Sequence, residues 1–272
     1  MYPIYEGVAD IQNTDFRETF QESCFEINLL IDKNYEDADL TITVRPIDDD
    51  GYEVLVSYIV TINGKPYYVD FDLWKNSDEV LRIPALPVQD LHIKFEIEVH
   101  EVLCPNSLSE PGPHRNFRIL TKNGEVYVNT SWLLDNVGGS LFSDWFVREG
   151  QGESTVVPTN IDENELEVLL KAVCSYSKII ITRQNFDVLL EVAWRFKITN
   201  LLRALEGYIL QARAFHPMEK LIFAYKYKMA MLATNILAPL DSRERKKDAL
   251  YAYIEEKDIT EIPQELMEML DL

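Results

Sequence analysis

The sequence predicts an α+β protein: an N-terminal antiparallel β-sandwich, then a mostly helical domain that opens on a short hairpin, then C-terminal helices. Three observations predict it. In residues 91–103, LHIKFEIEVHEVL, apolar Leu91, Ile93, Phe95, Ile97 and Val99 alternate with His92, Lys94, Glu96, Glu98 and His100, the period of a strand with one face in a core. Residues 104–113, CPNSLSEPGP, hold three prolines, a glycine and two serines, poor material for a ladder or a helix. Beyond them apolar residues recur at helical spacing, as Leu166, Leu169, Leu170, Val173 and Cys174 do at i, i+3, i+4, i+7 and i+8.

The strand candidates before the proline-rich segment begin at Phe25 with FEINLLI and continue with residues 40–45, 52–62, 66–73 and 91–103. Asp48-Asp49-Asp50-Gly51 and Asn63-Gly64 separate them with residues that tolerate positive φ, and the Asn-Gly pair predicts a tight hairpin. Several strands at hairpin spacing with no helical period between them imply an antiparallel sandwich over residues 1–104, with a linker at 105–114.

In the second domain, residues 116–121 and 126–128 are strand candidates, and Asn123-Gly124 between them supplies a turn flanked by Lys122 and Glu125. Residues 130–137 and 140–147 read as two short helices separated by Gly138-Gly139, with Thr130 and Ser140 as N-caps. A strand-like 155–157 follows, then a helix whose Asp162 and Glu165 have capping-box spacing. Residues 178–182 form an extended link, and Thr182 is positioned to cap a helix in which Phe186, Leu189, Leu190, Ala193 and Phe196 share a face. A further helix over 200–212 turns Leu202, Leu205 and Ile209 inward. Helices over 217–228 and 230–237 come next, the second stopped by Pro239, followed by a mixed-charge segment at 242–257 and a final helix over 263–270.

A chain of 272 residues is long enough for about two domains. Its net charge of −20 is uneven: residues 1–110 carry −16 and residues 111–272 carry −4. Such a field repels phosphates and anionic membrane surfaces, so nucleic acid and membrane are not expected partners; it reads as an acidic solvated surface, with a face that steers a basic partner as the alternative. No run approaches the ~18 apolar residues of a membrane helix. The opening MYPIYEGVADIQ has no basic n-region or long apolar stretch, and Cys24, Cys104 and Cys174 make neither a disulfide framework nor a CxxC metal pair. An intracellular location, cytoplasm and/or nucleus, is the expectation.

Catalytic chemistry is not expected, nor a cofactor or metal. His92 and His100, eight residues apart on one strand face, are about 26 Å apart at ~3.3 Å per residue, and all four histidines, with His114 and His216, read as solvated. There is no P-loop or GxGxxG, and the aspartate run at 48–50 lacks EF-hand spacing. Cys174 reads as a small core residue. The basic run Arg243-Glu244-Arg245-Lys246-Lys247 reads as a solvated face, with a nuclear-import signal as the alternative.

The second domain resembles the BTB/POZ family over residues 115–212. Val128-Asn129-Thr130-Ser131-Trp132-Leu133 resembles its x-H-K-x-x-L entry into the first helix, and Phe142-Ser143-Asp144-Trp145-Phe146 the end of its S-x-x-F-x-x-x-F helix. Residues 166–181 resemble its F-x-x-L-L-x-x-I-Y helix and the extended link after it. NFDVLLEVAWRFKI, residues 185–198, resembles N-x-x-x-L-L-x-x-A-x-x-F-x-I. Residues 218–240 are similar to a K-x-x-x-A-x-K-Y-x-x-x-x-L helix pair that often follows, within an extension at 213–272. A sandwich placed before such a domain is similar to the MATH (TRAF-like) and BTB combination. The chain departs at Asn116, Asn129 and Gly139, where the family has Asp, His and Ser; the first two lie near the family's dimer interface.

The resemblance implies a non-enzymatic adaptor, a substrate-recruiting subunit of a cullin-3 ubiquitin ligase whose acidic sandwich takes a basic substrate protein. The alternative is a BTB scaffold that self-associates or binds other partners without cullin. For a homodimer interface the implied residues are Phe117, Trp132 and Leu133. For cullin-3 they are Phe142, Val147 and Glu149, from the hydrophobe-x-Glu string Val147-Arg148-Glu149, with Glu153 as another placing of the acid.

Overall fold

The computed structural model describes residues 4–11, 17–21, 25–34, 37–46, 51–75, 78–87, 91–156, 161–259 and 264–272. The fold is mixed α+β, and the chain divides into two compact units, Met1–Ser107 with Thr182–Gln184, and Leu108–Ile181 with Asn185–Leu272.

Among the described residues the first unit holds eight strands: β1 Ile4–Ile11, β2 Arg17–Gln21, β3 Phe25–Asn34, β4 Asp37–Pro46, β5 Glu53–Ile62, β6 Lys65–Trp74, β7 Asp78–Pro87 and β8 Leu91–Leu103. They form two antiparallel sheets, ordered β1-β8-β5-β6 and β2-β3-β4-β7, and β6 runs against β4 and β7 of the other sheet. Strands β1, β2 and β7, which sequence periodicity does not mark, all lie at sheet edges. The aspartate turn at 48–50 lies outside the described residues.

The pleat explains the core. Val54, Val56, Tyr58, Val60 and Ile62 of β5 are buried, and Tyr58 sits opposite Ile97 while Ile62 sits opposite Ile93, both buried on β8. Asn63 and Gly64 form the two-residue turn between β5 and β6 with φ of 47° and 84°, the positive values such a hairpin needs. The Asn63 backbone N–H donates to His92 O at 2.9 Å and its Oδ1 accepts from His92 N at 2.8 Å, so the turn also anchors the start of β8. Buried Asp72 on β6 accepts from Tyr58 Oη, Trp74 Nε1, Arg183 Nε and Gln184 Nε2, the last two from the short stretch that belongs to this unit. A buried carboxylate is tolerated when its lone pairs are met in this way.

The second unit opens against its own hairpin: Leu108 O accepts from Tyr127 N at 2.8 Å, and Gly112 and Arg115 exchange backbone bonds. Strands β9 Phe117–Thr121 and β10 Gly124–Val128 pair antiparallel, and β11 Thr155–Val156 adds parallel to β9. The turn falls one residue earlier than expected, at Lys122-Asn123, because Glu163 and Glu167 hold it: Lys122 N donates to Glu163 and Asn123 Nδ2 to Glu167 at 2.8 Å.

Helices follow as α1 Thr130–Trp132 running into a π-helical turn Leu133–Val137, α2 Ser140–Gly150, α3 Glu163–Cys174, α4 Phe186–Arg195, α5 Thr199–Gln211, α6 Pro217–Lys226, α7 Ala230–Leu237, α8 Arg243–Glu256 and α9 Gln264–Leu270. The capping box of α3 is present, with Asp162 accepting from Asn164 N and Glu165 accepting from Asp162 N. Three caps differ from expectation. Asn129, not Thr130, caps α1, accepting from Trp132 N at 2.9 Å; Gly139, not Ser140, precedes α2; and Asn185, not Thr182, precedes α4. In α5, Leu201, Leu205 and Ile209 are fully buried while Leu202 is half-buried. Met218, Leu221, Leu250, Tyr253, Leu266 and Leu270 gather α6, α8 and α9 around a common core.

Candidate protein-interaction surface

Helix α2 has two faces set by its period. Leu141, Phe142 and Trp145 point inward, and the Trp145 ring lies 6.0 Å from Phe117 and edge-on at 5.4 Å to Phe142. One position further round, Phe146 is 43% and Val147 56% exposed. Two adjacent apolar side chains in solvent beside charged neighbours suit a protein partner better than a small molecule.

The charges around this pair are ordered. Arg148 bonds Asp144 through Nε at 2.9 Å and faces Glu153 at 3.7 Å. Gln151 N and Glu153 N both donate to Arg148 O, and Gly152, at φ 73°, donates to Glu149 O, closing the helix. Glu149 itself is half-buried, and its Oε2 accepts from the hydroxyl of fully buried Thr130. Of the residues assigned to cullin-3, Val147 is therefore open, Glu149 is engaged within the unit and Phe142 is interior.

The residues assigned to a homodimer interface are mostly enclosed. Phe117 and Leu133 are interior and Trp132 is half-buried. Asn116 lies exposed just before β9. Asn129 has a local role, since its side chain is the cap of α1. Gly139 also has one: its φ is 101°, and a Cβ there would sit 3.0 Å from Ile198 Cγ1.

Two histidines are not solvated. His100 is half-buried, its Nε2 lies 2.7 Å from Ser57 Oγ, and its ring stacks on Phe71 at 4.8 Å. Glu98 lies 3.9 Å from His100 Nδ1, so serine, imidazole and carboxylate stand in the order of a hydrolase triad. Ser57, however, is buried and already accepts from Phe71 N at 3.0 Å, which leaves its hydroxyl enclosed rather than presented to a substrate. The polar alternation of β8 concealed this pairing, because the partner lies 43 residues away. The other is His216, the N-cap of α6.

Burial pushes the Cys174 thiol up to about 12, Arg115 opposing, so it carries no thiolate at neutral pH, while Cys104 is exposed. Cys24 lies outside the described residues. No cluster of three or more His, Cys, Asp or Glu among the described residues could hold a metal ion, and none of the described helices is long and apolar enough to cross a membrane.

No family model matches the chain, and no curated protein matches it.

Phe146, named above within a helix pattern, stands beside Val147 on the exposed side of α2. The signal was present, since with Leu141, Phe142 and Trp145 on one stripe, positions 146 and 147 fall off it.

Proposed function

We propose that this chain is a non-enzymatic interaction adaptor of the MATH-BTB type, a substrate-recruiting subunit of a cullin-3 ubiquitin ligase. The observation that carries this reading is the outer face of α2, where exposed Phe146 and Val147 lead into the Val147-Arg148-Glu149 string. Two four-stranded antiparallel sheets in the first unit, and in the second a hairpin, two short helices and a third strand that joins the hairpin before the remaining helices, support the order of the two modules. The −16 charge of residues 1–110 supports a basic substrate protein for the first module.

The test is a pull-down of purified cullin-3 by the full chain. Capture by wild type and its loss in Val147→Arg, with an unchanged melting temperature, supports the adaptor. No capture by the folded wild type overturns it.

One observation favours the scaffold reading instead. The Glu149 carboxylate is turned to Thr130, so the acid of the hydrophobe-x-Glu string is not free for a partner. A folded protein that light scattering finds dimeric and that ignores cullin-3 selects the scaffold.

A further inference from the structure

His216 closes a circuit between two helices. Its ring Nδ1 accepts from Met218 N at 3.2 Å, and its own backbone N–H donates to Glu219 Oε2 at 2.7 Å, completing a capping box at the start of α6. The ring stacks on Tyr253 of α8 at 5.0 Å and 30°. Its Nε2 faces Glu256 at 3.9 Å, near the end of α8, and the next residue, Lys257, bonds Glu219 at 3.0 Å and faces Glu256 at 3.9 Å. His216, Glu219, Lys257 and Glu256 thus form a closed loop above the apolar core shared by Met218, Leu221, Leu250 and Tyr253.

The cap works in one protonation state only. To accept from Met218 N–H, Nδ1 must be bare, which places the ring proton on Nε2, facing Glu256. A second proton on Nδ1 would set two donors against each other at the first turn of α6, where the helix dipole already disfavours positive charge.

We propose that His216 is a pH-sensitive clasp: its neutral ring holds the start of α6 to the end of α8, and its protonation loosens that junction. The charged groups facing the ring are Glu219 from α6 and Glu256 and Lys257 from α8. Lys220 is turned away to Leu210 O at 2.9 Å. Helix α9 meets the junction through Leu266 and Leu270, and α7 carries no ionisable residue.

The two carboxylates favour the protonated ring, but desolvation outweighs them and holds the His216 pKa below its ordinary value. Because the folded pKa is depressed, the stabilisation is complete above the unfolded value of 6.5 and is lost as pH falls from there through the folded pKa. The clasp is closed at neutral pH and opens on acidification.

Amide exchange of the full chain, corrected for the intrinsic pH dependence of exchange, tests this between pH 7.5 and 5.0. Protection at the start of α6 and along the last turns of α8 is expected to drop roughly five- to tenfold in wild type, the scale of a lost cap. In His216→Asn, whose side chain caps without titrating, protection is expected to stay level over the same range. Level protection in wild type, or an equal drop in His216→Asn, overturns the proposal. If circular dichroism shows that His216→Asn is not folded, the His216 ring resonances of wild type decide: a titration midpoint coincident with the drop in protection supports the clasp, and a different midpoint overturns it.

Discussion

The hydroxyl of Thr130 donates to the carboxylate of Glu149, joining the first residue of α1 to the last turn of α2. The bond explains why Thr130, a polar residue with no exposed surface, is tolerated there, and it fixes which way the acid of the Val147-Arg148-Glu149 string faces. Thr130→Val keeps the shape and removes the donor. It is expected to cost about 1–2 kcal/mol, because Glu149 is half-buried and regains part of its hydration. Urea denaturation measures the loss. If cullin-3 reads Glu149, the same variant frees the carboxylate and strengthens capture although the fold is weaker.

At exposed Val147 and Phe146, stability and binding are expected to respond differently to substitution. Neither packs into the core, so Val147→Arg should change stability by no more than about 0.5 kcal/mol. If the pair anchors a partner, the same change removes about 2 kcal/mol or more of binding, over tenfold in Kd. Paired melting and titration measurements separate the two effects.

Two glycines of the second unit make a matched pair. Gly139 sits at φ 101° with Ile198 Cγ1 3.0 Å from where a Cβ would stand, and Gly207 lies within α5 with open space around it. Gly139→Ala is expected to cost about 1–3 kcal/mol through backbone strain and crowding. Gly207→Ala is expected to add about 0.5–1 kcal/mol by reducing the freedom of the unfolded chain. Denaturant midpoints moving in opposite directions are the expected result.

Much of this architecture is legible in the sequence, and the omitted strands share a cause. Strand β8 shows itself because its alternation is strict, and β6, although an edge, is marked by the Asn63-Gly64 turn. The strands passed over are the remaining edges. β2 is five residues, RETFQ, β1 contains Gly7, and β7 carries Pro84 and Pro87, which an edge accommodates because one side of its ladder is unpaired. The caps slipped for a different reason: Asn129-Thr130 and Gly139-Ser140 each offer two acceptable residues, and tertiary demand on Thr130 and Ile198 decides between them. The His100–Ser57 pairing and the Glu149–Thr130 bond depend on the tertiary fold, which local periodicity does not encode.

Tertiary capping also predicts the last effect. Helix α7 begins at Ala230 without a side-chain cap of its own, and the orphan N–H of Leu232 is instead met at 2.8 Å by the carboxylate of Glu206 of α5, a residue only 9% exposed. The negative charge sits where the dipole of α7 favours it, so one side chain both satisfies a buried donor and ties α5 to α7. Glu206→Gln keeps an acceptor and gives up the charge, at an expected cost of about 1 kcal/mol. Glu206→Ala leaves the Leu232 N–H buried and unmet and is expected to cost about 2–3 kcal/mol. The ordering wild type, Gln, Ala in urea midpoints follows from the cap; equal losses in both variants would instead make the charge the whole contribution.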